Sequence, residues 1–161
     1  VKASLTGHLV LSTLHTNDAP SAVTRMVNMG IEPLLVTSSV ILIAAQRLVR
    51  RICQDCKEEV DVPRKALLNI GFPPGEADCV KAHTGKGCVK CNNTGYKGRI
   101  SLYEVMPLTD TLRQMILEGG TVIDLKKLAI EEGMITLRQS GLIKIKAGIT
   151  TMEEVIRETV L

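Results

Sequence analysis

Two Cys-x-x-Cys pairs, Cys53-Gln54-Asp55-Cys56 and Cys88-Val89-Lys90-Cys91, stand 31 residues apart (57 to 87) in a chain of 161 residues. Each pair presents two thiolates from one tight turn. Two such turns brought together supply the four sulfurs of tetrahedral zinc and leave no open coordination position, so the metal they imply is structural. Closing the intervening loop through a metal would order a stretch that otherwise has little core of its own. A fifth cysteine, Cys79, forms Cys79-x3-His83, which could replace one pair; both residues read more simply as loop residues. An odd count with this paired spacing argues for a reduced compartment and metal rather than disulfides.

The rest of the composition limits the function classes. Hydrophobic residues make up 45% of the chain, as in ordinary globular proteins, but aromatics are confined to Phe72, Tyr96 and Tyr103. The core must therefore be aliphatic, and the ring platforms that stack single-stranded nucleic acid are scarce. A formal charge of +3 is too small to imply a polyanionic partner. The basic run Gln46–Arg51 reads as well as a solvated edge. The longest apolar stretch, Leu34 to Ala45, is interrupted by Thr37, Ser38 and Ser39 and falls short of the roughly 20 residues that span a bilayer. No secretory signal pattern opens the chain, and the absence of an initiator Met suggests a fragment.

Along the chain, residues 9–14 (LVLSTL) read as a nearly continuous apolar strand of the kind buried in a parallel sheet. Asp18 then reads as an N-cap, with Ala19, Ala22, Val23, Met26 and Val27 forming a helical apolar stripe that Gly30 ends. Strand, polar turn and amphipathic helix make an α/β unit. A short helix is expected from Pro33, whereas VILIAAQRLVRRI (40–52) is compatible with helix or long strand. Residues 53–104 form a loop-rich cysteine module. From 105 onward four short helices are expected to pack as an all-α unit. Leu108, Leu112, Met115 and Ile116 line the first; Thr121-x-x-Asp124 caps the second. The third begins after Thr136, and Thr151-x-x-Glu154 is a capping box for the last, with Met152, Val155 and Ile156 inward.

His8 and His15 flank the apolar run. On one regular strand they would point to opposite faces, which excludes a metal pair or dyad built on that strand. His15 would emerge at the carboxyl end, where open parallel sheets hold ligands, and Thr16, Asn17 and the following helix N-terminus would complete a crescent suited to phosphate. From spacing alone, satisfied core or turn residues are the favoured reading of both histidines, and nothing in the spacing shows catalysis.

Four ordered blocks, TGHLVLSTLHTNDAPSAVTRM, AQRLVRRICQDC, CVKCNNTGYKGRISLYEVM and GMITLRQSGLIKIKAGITTMEEV, resemble the type II/type IV secretion ATPases, nearest to the pilus-assembly (PilB) and type II secretion (GspE) branches. The retraction ATPases of that family lack the paired cysteines. The resemblance covers essentially the whole chain and implies the C-terminal part of a hexameric motor with a RecA-like core. Residues 1–52 would be the end of that α/β core, 53–104 a tetracysteine zinc module and 105–161 a helical C-terminal unit. His8 and His15 would correspond to the His-box residues that sense nucleotide, with Thr13 and Asn17 beside the nucleotide. Cys53, Cys56, Cys88 and Cys91 would correspond to the zinc ligands. Asn92-Asn93 departs from the glycine expected before Thr94.

No G-x-x-x-x-G-K-[ST] occurs in this chain, so ATP and Mg²⁺ would be held mainly by P-loop and Walker B segments elsewhere, and the chain alone is expected to be inactive. The resemblance further implies coupling of ATP hydrolysis to pilin polymerisation or protein secretion. It implies a homo-hexamer, cytoplasmic and held at the inner membrane through a platform protein, with no nucleic-acid partner. A free-standing zinc module for protein–protein interaction is the alternative.

Overall fold

The computed structural model describes residues 1–159. In chain order they form α1 (Lys2–Leu5), α2 (Ala19–Asn28), α3 (Pro33–Ser39), β1 (Leu42–Ile52), β2 (Lys57–Val60), α4 (Arg64–Ile70), α5 (Pro74–Ala77) and β3 (Ala82–Gly85). A 3-10 turn at Val89–Cys91 precedes β4 (Tyr96–Pro107), α6 (Asp110–Leu117), α7 (Val122–Glu131), α8 (Leu137–Lys146) and α9 (Met152–Glu158). This is a mixed α/β chain. The ambiguous stretch 40–52 resolves as strand from Leu42 onward, because β1 has a partner in β4.

The chain divides into two compact units, Val1–Ala45 with Tyr103–Thr136 and Gln46–Leu102 with Leu137–Leu161. The helices expected to form one C-terminal unit are therefore shared, α6 and α7 going to the first and α8 and α9 to the second.

In the first unit the helix signals act as their chemistry requires. Asp18 adopts extended backbone and its Oδ1 accepts the Ser21 N–H at 3.0 Å, capping α2. Ala19, Ala22, Val23 and Met26 bury the predicted stripe, and α2 packs on α7. Thr121 and Asp124 form a reciprocal capping box on α7, and Thr109 caps α6 through the Leu112 N–H. Buried Leu112 and Ile116 face inward on α6, and α3 packs against that helix.

Residues 9–14 correct the sequence reading. They form no strand, and Leu9 and Leu11 are 81% and 89% exposed. Apolarity makes a segment fit for a sheet interior, but a strand exists only where neighbouring strands take its backbone N–H and C=O groups. Among the described residues no strand pairs with 9–14.

In the second unit β2 and β3 pair antiparallel, from Lys57 opposite Gly85 to Val60 opposite Ala82. The loop-rich module has more core than its sequence suggests. Leu67, Ile70, Phe72 and Ala77 from α4, α5 and their connection are buried together with Leu142 and Ile145 of α8 and Val155 of α9. The apolar cover for 57–87 thus comes from the end of the chain. Val155 faces inward as expected and Met152 packs at the edge of this core, whereas Ile156 is exposed.

Candidate functional site

The metal-binding candidate is built from two turns. β1 delivers Cys53 at its end, and the Cys53 N–H donates to the Gly95 carbonyl at 2.9 Å, tying the first turn to the segment after the second. The second turn is the 3-10 segment Val89–Cys91, followed by Asn92 and Asn93 with φ of 51° and 58°. Asparagine is among the few side chains that accept this left-handed backbone, so the Asn-Asn departure from glycine keeps the turn. Close approach does require glycine at Gly85, where a Cβ would run into the Gly95 carbonyl oxygen.

All four Sγ atoms of Cys53, Cys56, Cys88 and Cys91 lie within 4.8 Å of one another. Cys53–Cys88, Cys56–Cys91 and Cys88–Cys91 are separated by 3.9, 3.8 and 3.7 Å. Tetrahedral zinc with Zn–S near 2.3 Å sets S···S at about 3.8 Å. The donor set, its spacing and its half-buried position all fit a tetrathiolate metal ion. Cys79 is exposed and outside the cluster, and His83 is not in it either.

The thiols of Cys53, Cys56 and Cys91 are unequal. Burial pushes Cys53 up, and Cys56 to about 12. Burial acts in the same direction on Cys91, but backbone N–H groups of Cys88 and Gly95, together with the Cys88 and Cys56 side chains, outweigh it and hold that thiol at about 6. The Cys88 N–H donates to Cys91 Sγ at 3.2 Å. The Cys91 sulfur is thus prepared as an anion, and metal entry must expel protons from Cys53 and Cys56. Across the cluster Lys90 pairs with Asp55, joining the two turns through their non-ligand residues and holding the Asp55 carboxyl below its ordinary value.

The histidine segment is a different kind of place. His8, Thr13, His15 and Asn17 are all exposed on the irregular stretch before α2. His8 Nδ1 lies 3.1 Å from Thr6 Oγ1. The expected strand with a histidine at each end is replaced by an open segment. Two buried acidic residues stand out instead: Glu104 on β4, which no motif marked, and Glu154 on α9, which the sequence marked only as a helix cap. Glu104 Oε1 accepts the Ala19 N–H at 2.7 Å, and Glu154 accepts from the backbone and guanidinium of Arg50. The signal for Glu104 was present: it interrupts Leu102 and Met106 at the two-residue period of buried positions.

The family model of type II/IV secretion system proteins matches residues 1–157. The chain is 52% identical over 160 residues to the type IV pilus assembly ATPase PilB of Myxococcus xanthus, covering 99% of this chain and 28% of that protein. It is 47% identical over 159 residues to PilB of Pseudomonas aeruginosa, with 99% and 28% covered. With the type II secretion system protein E of Dickeya dadantii it shares 43% over 159 residues, with 99% and 31% covered. The chain belongs to the type II/IV secretion system protein family. It spans less than a third of the length of these relatives. Among the described residues no helix is long and apolar enough to cross a membrane.

Proposed function

We propose that this chain is the C-terminal part of a hexameric ATPase that couples ATP hydrolysis to pilin polymerisation or protein secretion. The observation that carries the reading is the unbroken family match over residues 1–157, with relatives named as pilus assembly ATPases matching 99% of the chain. The paired cysteines, which the retraction branch lacks, favour the assembly and secretion branches.

In this reading residues 1–52 finish a RecA-like core whose P-loop, Walker B segment, ATP and Mg²⁺ lie in the rest of the protein. In the complete core, the rest of the protein would cover the exposed Leu9 and Leu11. His8 and His15 then face the γ-phosphate region and sense nucleotide, with Thr13 and Asn17 beside them. A sensor of this kind favours one of two arrangements only while the phosphate is present. Zinc on Cys53, Cys56, Cys88 and Cys91 supplies no chemistry to ATP; it holds the two turns together. The working assembly is a homo-hexamer, cytoplasmic and peripheral at the inner membrane through a platform protein, without a nucleic-acid partner.

The test is His15→Ala in the full-length protein, with ATP turnover and nucleotide affinity measured side by side. Turnover is expected to fall by about tenfold or more with affinity nearly unchanged, the signature of an interaction made in the reacting state. Wild-type turnover would remove His15 from the sensing role.

A further inference from the structure

Along β4, Leu102, Glu104 and Met106 are all buried, at 0%, 2% and 1% exposure. The strand's two-residue period makes position 104 a core position, yet it carries a carboxylate. Burying such a group is costly unless it meets donors and positive charge. Glu104 meets both at one place. Its Oε1 accepts the Ala19 N–H at 2.7 Å, at the positive end of the ten-residue helix α2.

The first turn of α2 is thereby accounted for donor by donor. Ala19 gives its N–H to Glu104, Pro20 has none, and Ser21 gives its N–H to Asp18. One of these acceptors is local. The other comes from a strand 85 residues away. Immediately before this turn lie His15, Thr16 and Asn17, on backbone that belongs to no helix or strand. That segment runs directly into the start of α2.

We infer that Glu104 is a positioning residue: its buried carboxylate pins the N-terminus of α2 and so sets where the His15–Asp18 segment is presented. The proposal rests on the reading of His15 as a nucleotide sensor and adds the residue that aims it. Glu104 acts through backbone and touches no nucleotide.

The experiment uses the full-length protein with Glu104→Ala, Glu104→Gln, His15→Ala and the Glu104→Ala/His15→Ala double variant. Turnover, nucleotide affinity and hydrogen exchange over residues 15–22 are measured in each. Glu104→Ala should lower kcat about tenfold or more with affinity within about twofold, as expected when a reacting-state contact is misplaced. It should also speed exchange across 15–22. Glu104→Gln keeps an acceptor oxygen and the shape, so it should fold and recover most of both readouts. The double variant should be no slower than the slower single variant, because both changes remove one function.

Unchanged exchange over 15–22 in Glu104→Ala would overturn the inference, as would multiplied losses in the double variant. So would a Glu104→Gln protein as slow as Glu104→Ala. Full turnover in His15→Ala, with exchange still raised by Glu104→Ala, would instead defeat the sensor reading and leave the pinning of α2 standing.

Discussion

Glu154 is gripped by Arg50 in two ways: the Arg50 backbone N–H donates to Oε2 at 2.8 Å, and its guanidinium donates to Oε1 at 2.7 and 3.0 Å. The two residues are 104 positions apart in sequence. The Arg50 guanidinium also lies over the Tyr96 ring, 4.1 Å from its centroid, and the Tyr96 hydroxyl is 2.9 Å from Thr151 Oγ1. β1, β4 and the start of α9 are thus locked by one polar cluster. Glu154→Ala should destabilise the second unit by about 2 kcal/mol, less than for a fully buried pair because the Arg50 side chain is 45% exposed. Chemical denaturation, with exchange of β1 and α9 amides to localise the effect, checks it.

The same cluster sets an acid limit. Burial pushes the Glu154 carboxyl up, but hydrogen bonds and charge from Arg50, with Arg157 beside it, prevail and hold it below its ordinary value. A carboxylate depressed on folding gives its full stabilisation above the unfolded value of about 4.3, and loses it as pH falls through the lower folded value. The second unit should therefore weaken on acidification below about pH 4.3, and Glu154→Gln should flatten that dependence. A denaturation series across pH 3 to 6, wild type against variant, measures it.

Metal content separates the cysteines. The protein should hold one zinc per chain, and Cys56→Ser or Cys91→Ser should abolish stoichiometric retention, because three thiolates no longer close the tetrahedron. Cys79→Ser should leave metal content unchanged, since Cys79 is exposed and lies outside the cluster. Elemental analysis of the purified proteins decides it. With more than one thiol to deprotonate, apparent zinc affinity should rise with pH through the neutral range.

Gly85→Ala should weaken both fold and metal retention. Its Cβ would meet the Gly95 carbonyl, which accepts the Cys53 N–H at 2.9 Å, so the first cysteine turn must shift with it. Such overpacking costs about 1–3 kcal/mol. Faster zinc release to a chelator, alongside a lowered denaturation midpoint, is the expected pair of results.

Legibility followed distance along the chain. The cysteine pairs, the Asp18 cap and the Thr121 box are local chemistry, and each was readable from a few residues. Thr151-x-x-Glu154 shows the limit. Thr151 does cap α9 through the Glu154 N–H, but the Glu154 carboxylate, instead of bonding back, goes to Arg50. Glu104 and Ala19 are likewise too far apart for any spacing rule. The segment 9–14 failed for a related reason. Apolar patterning reports what a stretch would bury, and the partner strand that makes burial possible is not written within it.

The second unit is assembled from Gln46–Leu102 and Leu137–Leu161, with the first unit's residues between. During synthesis, Leu67, Ile70 and Phe72 emerge long before Leu142, Ile145 and Val155, which bury them. The opening half of this unit must therefore wait with its apolar side uncovered until Leu142, Ile145 and Val155 have been made. A premature stop after residue 136 would then be felt first by residues made some seventy positions earlier.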